Sequence, residues 1–247
     1  MSATFPYPVF VIHTRANKGG RRDQIIAQLQ KHQIDFQFML DADIPELSDE
    51  VLKKWLSGNM LSQGANATTS CSIKHLLCME QCMQQSWGGI LVFEDDALLD
   101  DRFHDVFHKA MNEVKEMAEG KDMAYLISFE NSSFQFVPES KVEKGRVLYA
   151  AERSRCAAAY YISCEACRNI MDYVQKNGCH VPIDWFFNVM TEKELLQIYW
   201  THPAVVEQGS HNGSMPSLLD DKQYGWFRSV NFAVQKFVKQ HILRKLR

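Results

Sequence analysis

The sequence predicts an α/β fold in which helices flank a mostly parallel sheet. A β-branched and aromatic run at residues 9–12 is typical of a buried strand. Apolar residues then recur at helical spacing over residues 25–34, and a second apolar run follows at residues 36–39. A strand, a helix and a second strand in this order favour parallel strands with a helix covering one face.

The same patterns place further elements along the chain. We expect Ser70 to cap a helix that runs to about Gln85, because apolar residues recur every three or four positions after it. Gly88 and Gly89 then open a strand. The expected elements from there are strand 90–93, helix 103–118, strands 124–128 and 157–162, helix 164–175 and strand 197–200.

Length and composition limit the function classes. A chain of 247 residues suits one domain. Its 27 Lys and Arg against 30 Asp and Glu give a net charge of −3, which provides no general attraction to nucleic acid. No apolar run approaches the ~20 residues of a membrane span, and we expect no signal peptide. Seven cysteines, an odd number, favour reduced thiols and a cytoplasmic location.

The C-terminal residues have a different character. We expect one domain over residues 1–220 and a basic amphipathic helix over residues 221–247. Such a helix can lie on an anionic membrane surface, or it can pack on its own domain with its charged end in solvent. Its positive charges include Lys236, Lys239, Arg244, Lys245 and Arg247, and no Asp or Glu follows Asp221.

The most informative segment is an acidic triplet, Glu94-Asp95-Asp96, which directly follows the strand at residues 90–93. In open α/β sheets, ligands bind outside the carboxyl ends of the strands. Neighbouring carboxylates repel one another, so we expect a divalent cation such as Mg²⁺ or Mn²⁺ there, bound together with substrate phosphates. The alternative is an ordinary polar strand end.

Several ordered blocks then give the chain a family resemblance over most of residues 8–215. The blocks are Val11-Ile12-His13-Thr14 with Arg21-Arg22, the segment Phe38 to Asp43, Ser70 to His75, Leu91 to Asp96, Ala158 to Ser163, and Pro182-Ile183-Asp184. Together they resemble glycosyltransferase family 25, the lipopolysaccharide galactosyltransferase family. The chain departs from the family pattern in three places: Lys74 replaces a serine, Thr68-Thr69 replaces Gly-Glu, and His13 replaces a common asparagine.

The resemblance implies a GT-A-like nucleotide-sugar-binding fold and an inverting hexosyltransferase that requires Mn²⁺ or Mg²⁺. The implied donor is a UDP-sugar, most simply UDP-galactose, and the implied acceptor is a glycan or glycolipid of bacterial lipopolysaccharide or a related surface glycan. A basic C-terminal helix would then hold the enzyme at the inner face of the inner membrane. No nucleic-acid partner is expected.

The resemblance also assigns roles to residues. Asp184 is the candidate catalytic base, and Asp96 and His211 are the candidate metal ligands. The candidate donor-binding residues are Ile12, Thr14, Arg21, Arg22, Asp43, His75, Glu94 and Asp95. Each has a plainer alternative: a helix cap for Asp184, a solvated helix start for Arg21 and Arg22, a turn acid for Asp43, a structural histidine for His75 and a surface-loop histidine for His211.

Two other function classes stay open at this point. A metal-dependent nucleotidyltransferase could use the same acidic cluster and would release pyrophosphate from a nucleoside triphosphate. A non-catalytic glycan-binding protein with the same fold would not depend on Asp96. By contrast, the chain lacks the glycine-rich fingerprints of P-loop enzymes and dinucleotide oxidoreductases. Cys164-x-x-Cys167 lacks the second cysteine pair that a structural zinc site needs.

Overall fold

A computed structural model describes residues 5–16, 20–212, 214–215, 235–236 and 238–239. Within them the chain forms nine strands and eight helices. The strands are β1 (Val9–Ile12), β2 (Gln37–Met39), β3 (Gly89–Glu94), β4 (Ala97–Leu99), β5 (Tyr125–Ser128), β6 (Leu148–Ala151), β7 (Ala159–Ser163), β8 (Gln197–Thr201) and β9 (Val206–Gln208). The helices are α1 (Arg21–Lys31), α2 (Asp49–Trp55), α3 (Gly58–Ser62), α4 (Ala67–Gln84), α5 (Phe103–Ala118), α6 (Cys164–Asn177), α7 (Ile183–Glu192) and α8 (Gly209–Asn212).

The predicted α/β fold is confirmed. In the described residues a seven-stranded sheet has the order β2-β1-β3-β7-β5-β8-β6. Strands β1, β2, β3, β5 and β8 share one direction, and β7 and β6 run against them. The carboxyl ends of the five co-directional strands therefore meet at one edge of the sheet. A separate antiparallel pair, β4 with β9, lies just after the acidic triplet and was not predicted.

Helices cover both faces of the sheet, which makes three layers. Along β3 the side chains of Ile90 and Val92 pack in one core with α4, α6 and α7, and those of Leu91 and Phe93 pack in a second core with α1 and α5. This alternation is the two-residue period of a strand that is buried on both faces. Because β3 is packed on both faces, its position between the two helix layers is fixed, and the position of the acidic residues at its carboxyl end is fixed with it.

Helix α4 begins earlier than predicted. The Asn66 side chain accepts hydrogen bonds from the backbone N–H groups of Thr68 at 2.8 Å and Thr69 at 3.0 Å, so Asn66 caps the helix. The expected Ser70 cap is wrong. Ser70 lies inside the helix, where its hydroxyl donates to the Ala42 carbonyl at 2.7 Å.

Most of the predicted C-terminal helix lies outside the described residues, so the division of the chain at residue 220 stays a prediction. Residues 235, 236, 238 and 239 are helical. Lys236 forms an ion pair with Glu207, and the Lys239 ammonium lies 5.1 Å from the centre of the Phe134 ring. Among the helices described, none is long and apolar enough to cross a membrane.

Candidate active site

The acidic triplet lies at the sheet edge where the co-directional strands end. Glu94 is the last residue of β3 and lies opposite Ile12, the last residue of β1. Asp95 and Asp96 follow in a turn and are both buried. The backbone N–H of Gly209 donates to the Asp96 carbonyl at 2.8 Å, which joins the triplet to α8. Three carboxylates thus enter the protein interior at one point.

Arg21 neutralises much of this charge. Its Nη1 lies 2.8 Å from Asp95 Oδ1, and its Nη2 lies 3.7 Å from Asp96 Oδ2. His13 Nδ1 lies 2.7 Å from Asp95 Oδ2. Arg21 is only 5% exposed, so the alternative of a solvated helix start is wrong for this residue. Both oxygens of Asp95 are therefore occupied by protein donors.

Asp96 differs from Asp95 in one respect that bears on ligand binding. Its Oδ2 accepts the backbone N–H of Ser210 at 3.3 Å. Its Oδ1 is buried and has no hydrogen-bond partner among the residues the structure describes. A buried carboxylate oxygen without a donor is costly unless a ligand satisfies it, so Asp96 suits the predicted metal role.

Glu94 turns away from its neighbours toward α4. Cys71 and His75 are one helical turn apart on that helix, on the face directed at the end of β3. Cys71 Sγ lies 3.8 Å from Glu94 Oε1, and His75 Nε2 lies 3.5 Å from the same oxygen. One sulfur, one nitrogen and one oxygen thus lie within 4.8 Å of one another, an arrangement that can hold a metal ion. We call these three residues the Cys-His-Glu cluster.

Outer contacts fix two members of this cluster. His75 Nδ1 lies 2.8 Å from the Tyr160 hydroxyl, and the Gln208 side-chain amide donates to Glu94 Oε2 at 2.8 Å. Burial, followed by the charges of Asp96 and Asp95, raises the pKa of Glu94 to about 8. Burial lowers the pKa of His75 to about 3, so the ring is neutral at ordinary pH. A neutral imidazole is the form that binds metals.

Asp184 lies in the first turn of α7 and is half-buried. Pro182 is the residue that precedes the helix, so the alternative of Asp184 as its cap is wrong. Burial raises the pKa of the Asp184 carboxyl. The backbone N–H of Ile183, the residue before Asp184, donates to the Ser72 hydroxyl at 3.3 Å, so the start of α7 packs against the helix that carries Cys71 and His75. The charge of Asp184 helps to raise the pKa values of Cys71 and Glu94.

Asp43 lies four residues after the end of β2, immediately before a short 3-10 turn at Ile44–Glu46. Its carboxylate lies 2.8 Å from the buried Lys74 ammonium and accepts the Arg15 backbone N–H at 3.0 Å. Burial opposes ionisation, but these two donors lower the pKa of Asp43. Asp43 also caps a short 3-10 turn with Glu46, as its turn alternative expected. Lys74, at one of the departures from the family pattern, therefore has a specific carboxylate partner.

The other predicted residues are less closely grouped. Ile12 is buried at the end of β1, and Thr14 is half-buried two residues later. Arg22 is exposed, with its guanidinium 5.3 Å from the centre of the Phe38 ring, so the structure brings Arg21 and not Arg22 to the acidic triplet. His211 belongs to α8, but its side chain lies outside the described part of the chain.

Sequence reasoning missed one buried carboxylate at this edge. Glu130 follows β5 and is fully buried, and its side chain accepts the backbone N–H groups of Ser132 at 2.7 Å and Cys156 at 2.5 Å. The Arg155 guanidinium donates to the Glu130 carbonyl at 2.8 Å. The sequence did contain a signal for this residue, because Glu130 follows the predicted strand 124–128, just as Glu94 follows the predicted strand 90–93.

Comparison with known proteins identifies the family. The profile of glycosyltransferase family 25, described as LPS biosynthesis protein, matches residues 7–187, well over half of the chain. The chain belongs to glycosyltransferase family 25. It is therefore a glycosyltransferase, and such an enzyme takes a sugar donor and an acceptor. A comparison with curated proteins gave no match.

Two solved structures are similar to this family 25 enzyme in fold. One is a candidate glucose-1-phosphate thymidylyltransferase from Bacillus anthracis in complex with a sucrose, at 11% identity and a TM-score of 0.40, covering 87% of this chain and 77% of that one. The other is mouse xyloside xylosyltransferase 1 in its apo form, at 13% identity and a TM-score of 0.39, covering 97% of this chain and 94% of that one.

The family 25 enzyme also has a groove between residues 133–138 and β6, the strand at the opposite edge of the sheet from β2. The groove has a volume of about 770 Å³. Ser132, next to the groove residue Ser133, accepts the backbone N–H of Gln208 with its hydroxyl, and the Gln208 side chain donates to Glu94. Its lining combines aromatic rings with positive charges, namely Phe134, Phe136, Tyr149, Trp200, Lys141, Arg146, Arg153 and Lys239.

Proposed function

We propose that this family 25 enzyme transfers a hexose, galactose in the first instance, from a UDP-sugar to a saccharide acceptor of bacterial lipopolysaccharide or a related surface glycan. We propose further that the transfer inverts the anomeric configuration. The observation that carries the proposal is the position of Asp184, a half-buried carboxylate beside the acidic end of β3, in a chain whose family is that of glycosyltransferases.

Asp184 is the proposed catalytic base. Its carboxylate takes the proton from the acceptor hydroxyl as that oxygen forms a bond to the anomeric carbon of the donor. The bond from this carbon to the UDP oxygen breaks, and UDP leaves with the electron pair. Attack from the face opposite UDP inverts the anomeric centre. A raised pKa strengthens Asp184 as a base, because proton transfer is most efficient when the pKa of the base approaches the working pH.

The donor lies, in this proposal, along the ends of β1, β2 and β3. Asp96 holds the divalent cation, Mn²⁺ or Mg²⁺, through its unpartnered Oδ1, and His211 is the proposed second ligand. One or two carboxylates with substrate phosphates is the usual arrangement for Mg²⁺. When bound, the cation neutralises charge that develops on the departing diphosphate.

The proposed donor contacts are those predicted from the sequence. The buried ion pair of Arg21 and Asp95 is the proposed contact for the diphosphate of the sugar donor. Asp43, in the loop that follows β2, is the proposed carboxylate for the hydroxyls of the nucleoside. The remaining proposed contacts are Ile12, Thr14, Arg22, His75 and Glu94.

The groove between residues 133–138 and β6 is the proposed acceptor site. Aromatic rings bind the apolar faces of sugars, and the positive charges of its lining favour an acceptor with negative groups. We also propose that the enzyme acts in the cytoplasm at the inner membrane face. Removing the residues after Asp221 should then move the protein from the membrane to the supernatant fraction in a vesicle-sedimentation assay.

The first experiment is a thermal-shift panel of UDP-sugars with Mn²⁺ or Mg²⁺, run on the natural protein and on Asp96→Ala. One sugar nucleotide, UDP-galactose by this proposal, should raise the melting temperature of the natural protein only. A ligand at 100 times its Kd adds about 2.7 kcal/mol. If no UDP-sugar has an effect, the donor proposal fails. Release of pyrophosphate from a nucleoside triphosphate would favour a nucleotidyltransferase, and glycan binding without nucleotide would favour a binding protein.

The second experiment tests the base. Asp184→Asn should lower kcat by about 10²–10⁴-fold, the usual contribution of a general base, and leave the donor-induced thermal shift in place. Glu192→Gln, at the exposed far end of the same helix, is the matched control. Because burial raises the Asp184 pKa above its ordinary 3.8, the acid limb of the activity profile should lie above that pH. Unchanged kcat in Asp184→Asn, or a product that retains the donor's anomeric configuration, would refute this role.

A further inference from the structure

We propose that Cys71, His75 and Glu94 form a binding site for a thiophilic divalent cation of the Zn²⁺ class, with one coordination position left open. This site is separate from the proposed Mn²⁺ or Mg²⁺ position at Asp96. It stands on the geometry of the Cys-His-Glu cluster and does not depend on which sugar donor the enzyme uses.

The distances between donor atoms agree with a tetrahedral zinc site. Zinc lies about 2.3 Å from sulfur and about 2.0–2.2 Å from nitrogen or oxygen, so two ligands of a tetrahedral site are about 3.3–3.6 Å apart. His75 Nε2 lies 3.5 Å from Glu94 Oε1, and Cys71 Sγ lies 3.8 Å from the same oxygen. The third pair, Cys71 Sγ and His75 Nε2, lies within 4.8 Å, so the side chains would draw together when the metal binds.

His75 and Glu94 each have two atoms that could bind a metal, and in each residue one of the two already has a hydrogen-bond partner. The Tyr160 hydroxyl pairs with His75 Nδ1, and the Gln208 amide donates to Glu94 Oε2. The atoms that remain are His75 Nε2 and Glu94 Oε1, and both face Cys71. His75 is fully buried, and its Nε2 has no hydrogen-bond partner in the described part of the chain. Outer-shell partners of this kind orient ligands in known metal sites.

The charge around the cluster also favours a cation. Glu94, Asp95 and Asp96 bring three carboxyl groups to this edge, and the charge of Asp184 also acts on Glu94. The Arg21 guanidinium pairs with Asp95 and Asp96. A dication bound by Glu94 would offset part of the remaining negative charge in a site with limited access to water.

The donor set selects the metal. A thiolate, an imidazole and a carboxylate suit Zn²⁺, whereas Mg²⁺ and Mn²⁺ prefer oxygen ligands. Sites with three protein ligands keep a fourth position for water or a substrate oxygen, as catalytic zinc sites do. The start of α7, which carries Asp184, packs against α4 through the Ile183 backbone N–H and the Ser72 hydroxyl, and the charge of Asp184 acts on both Cys71 and His75. The open position is therefore placed on the side of the proposed reaction region.

The test measures metal binding and not activity. The full chain is stripped with a chelator, and Zn²⁺ binding is measured by competition with a chromophoric chelator. Co²⁺ is used as a spectroscopic probe, because a cysteine ligand produces a thiolate-to-cobalt charge-transfer band. We expect one Zn²⁺ per chain, the charge-transfer band, and no displacement by a thousandfold excess of Mg²⁺.

Variants assign the ligands. Cys71→Ser should lose the cobalt band and bind Zn²⁺ at least about a hundredfold more weakly, since even outer-shell changes cost 10–100-fold. Cys156→Ser is the matched control, because Cys156 is a half-buried thiol near the same carboxylates but outside the cluster. Cys71→His should restore Zn²⁺ binding without the band, which guards against a folding defect in the serine variant. Zn²⁺ binding that is absent from the natural protein, or equal in the natural protein and Cys71→Ser, would overturn the proposal. Neither result would bear on the UDP-sugar experiment.

Discussion

Replacing Arg21 by methionine should lower the free energy of unfolding by about 3 kcal/mol. The side chain is 5% exposed, and its Nη1 lies 2.8 Å from Asp95 Oδ1. At an effective dielectric constant of about 20, unit charges at that distance attract by about 6 kcal/mol. Removing one partner of a buried pair costs about 3–5 kcal/mol, because the other charge stays buried. Because His13 still contacts Asp95 in this variant, we expect a loss of stability at the lower end of that range.

Urea unfolding followed by circular dichroism gives the free energy directly. Arg22→Met is the matched control, because Arg22 is the next residue on α1 but is exposed, so its loss should stay within about 0.5 kcal/mol. Combining Arg21→Met with Asp95→Asn should recover part of the loss, since the unpaired charge is then removed too. If Arg21→Met is no less stable than Arg22→Met, the buried pair of Arg21 and Asp95 does not stabilise this edge of the sheet.

Three further predictions concern stability. A Cβ on Gly89 would lie 2.6 Å from a backbone carbonyl oxygen of β7, so Gly89→Ala should lower the free energy of unfolding by about 1–3 kcal/mol. Gly88→Ala is the control, because a Cβ there would have nothing within 4 Å and should cause no such loss. Equal effects of the two substitutions would contradict this prediction. Asp96→Asn should keep or raise the free energy of unfolding, because it removes a buried charge with an unpartnered oxygen. The same variant should lose the metal-dependent thermal shift with UDP-sugars. Asp95→Asn should instead lower the free energy of unfolding in the urea assay, because it leaves Arg21 without its charged partner. Burial lowers the pKa of His32 in the folded state, so the unfolded state takes up its proton first and the unfolding free energy should fall as the pH drops below the ordinary 6.5. His32→Gln should flatten that part of the pH-stability curve.

The fold was predictable where the periodicity was strong. Helix α5 has the predicted bounds, and β1 and β3 begin and end within a residue of expectation, because the burial of their apolar residues follows the period of the element. Predictions failed where a local side-chain contact decides the outcome. Asn66 caps α4 four residues before Ser70, the expected cap, since its carboxamide reaches two backbone N–H groups. The β4–β9 pair joins segments about 110 residues apart, which no local pattern indicates.

The candidate site divides in the same way. That carboxylates collect at the end of β3 follows from the sequence alone, because the strand and its acidic end are adjacent in the chain. The partners of those carboxylates do not follow. Cys71 and His75 have the spacing of one helical face, but only the packing of α4 on β3 directs that face to Glu94. The pairing of Lys74 with Asp43 likewise joins two elements that are 31 residues apart.

Three adjacent carboxylates are often taken as one cation site, and the geometry here argues against that simplification. The strand alternation ends at Glu94, and the turn that follows directs each side chain to a different partner. Glu94 contacts α4, whereas Asp95 contacts Arg21 and His13. What a carboxylate offers a cation is an oxygen that no protein donor occupies. By that criterion Asp95 offers none and Asp96 offers Oδ1. Glu94 Oε1 has a donor in the Cys71 thiol, but that thiol gives up its proton when it binds a metal, so Oε1 becomes available beside a sulfur and a nitrogen. The two available oxygens therefore lie in surroundings that select different metals, one suited to an oxygen-preferring ion with phosphate and the other to a thiophilic ion.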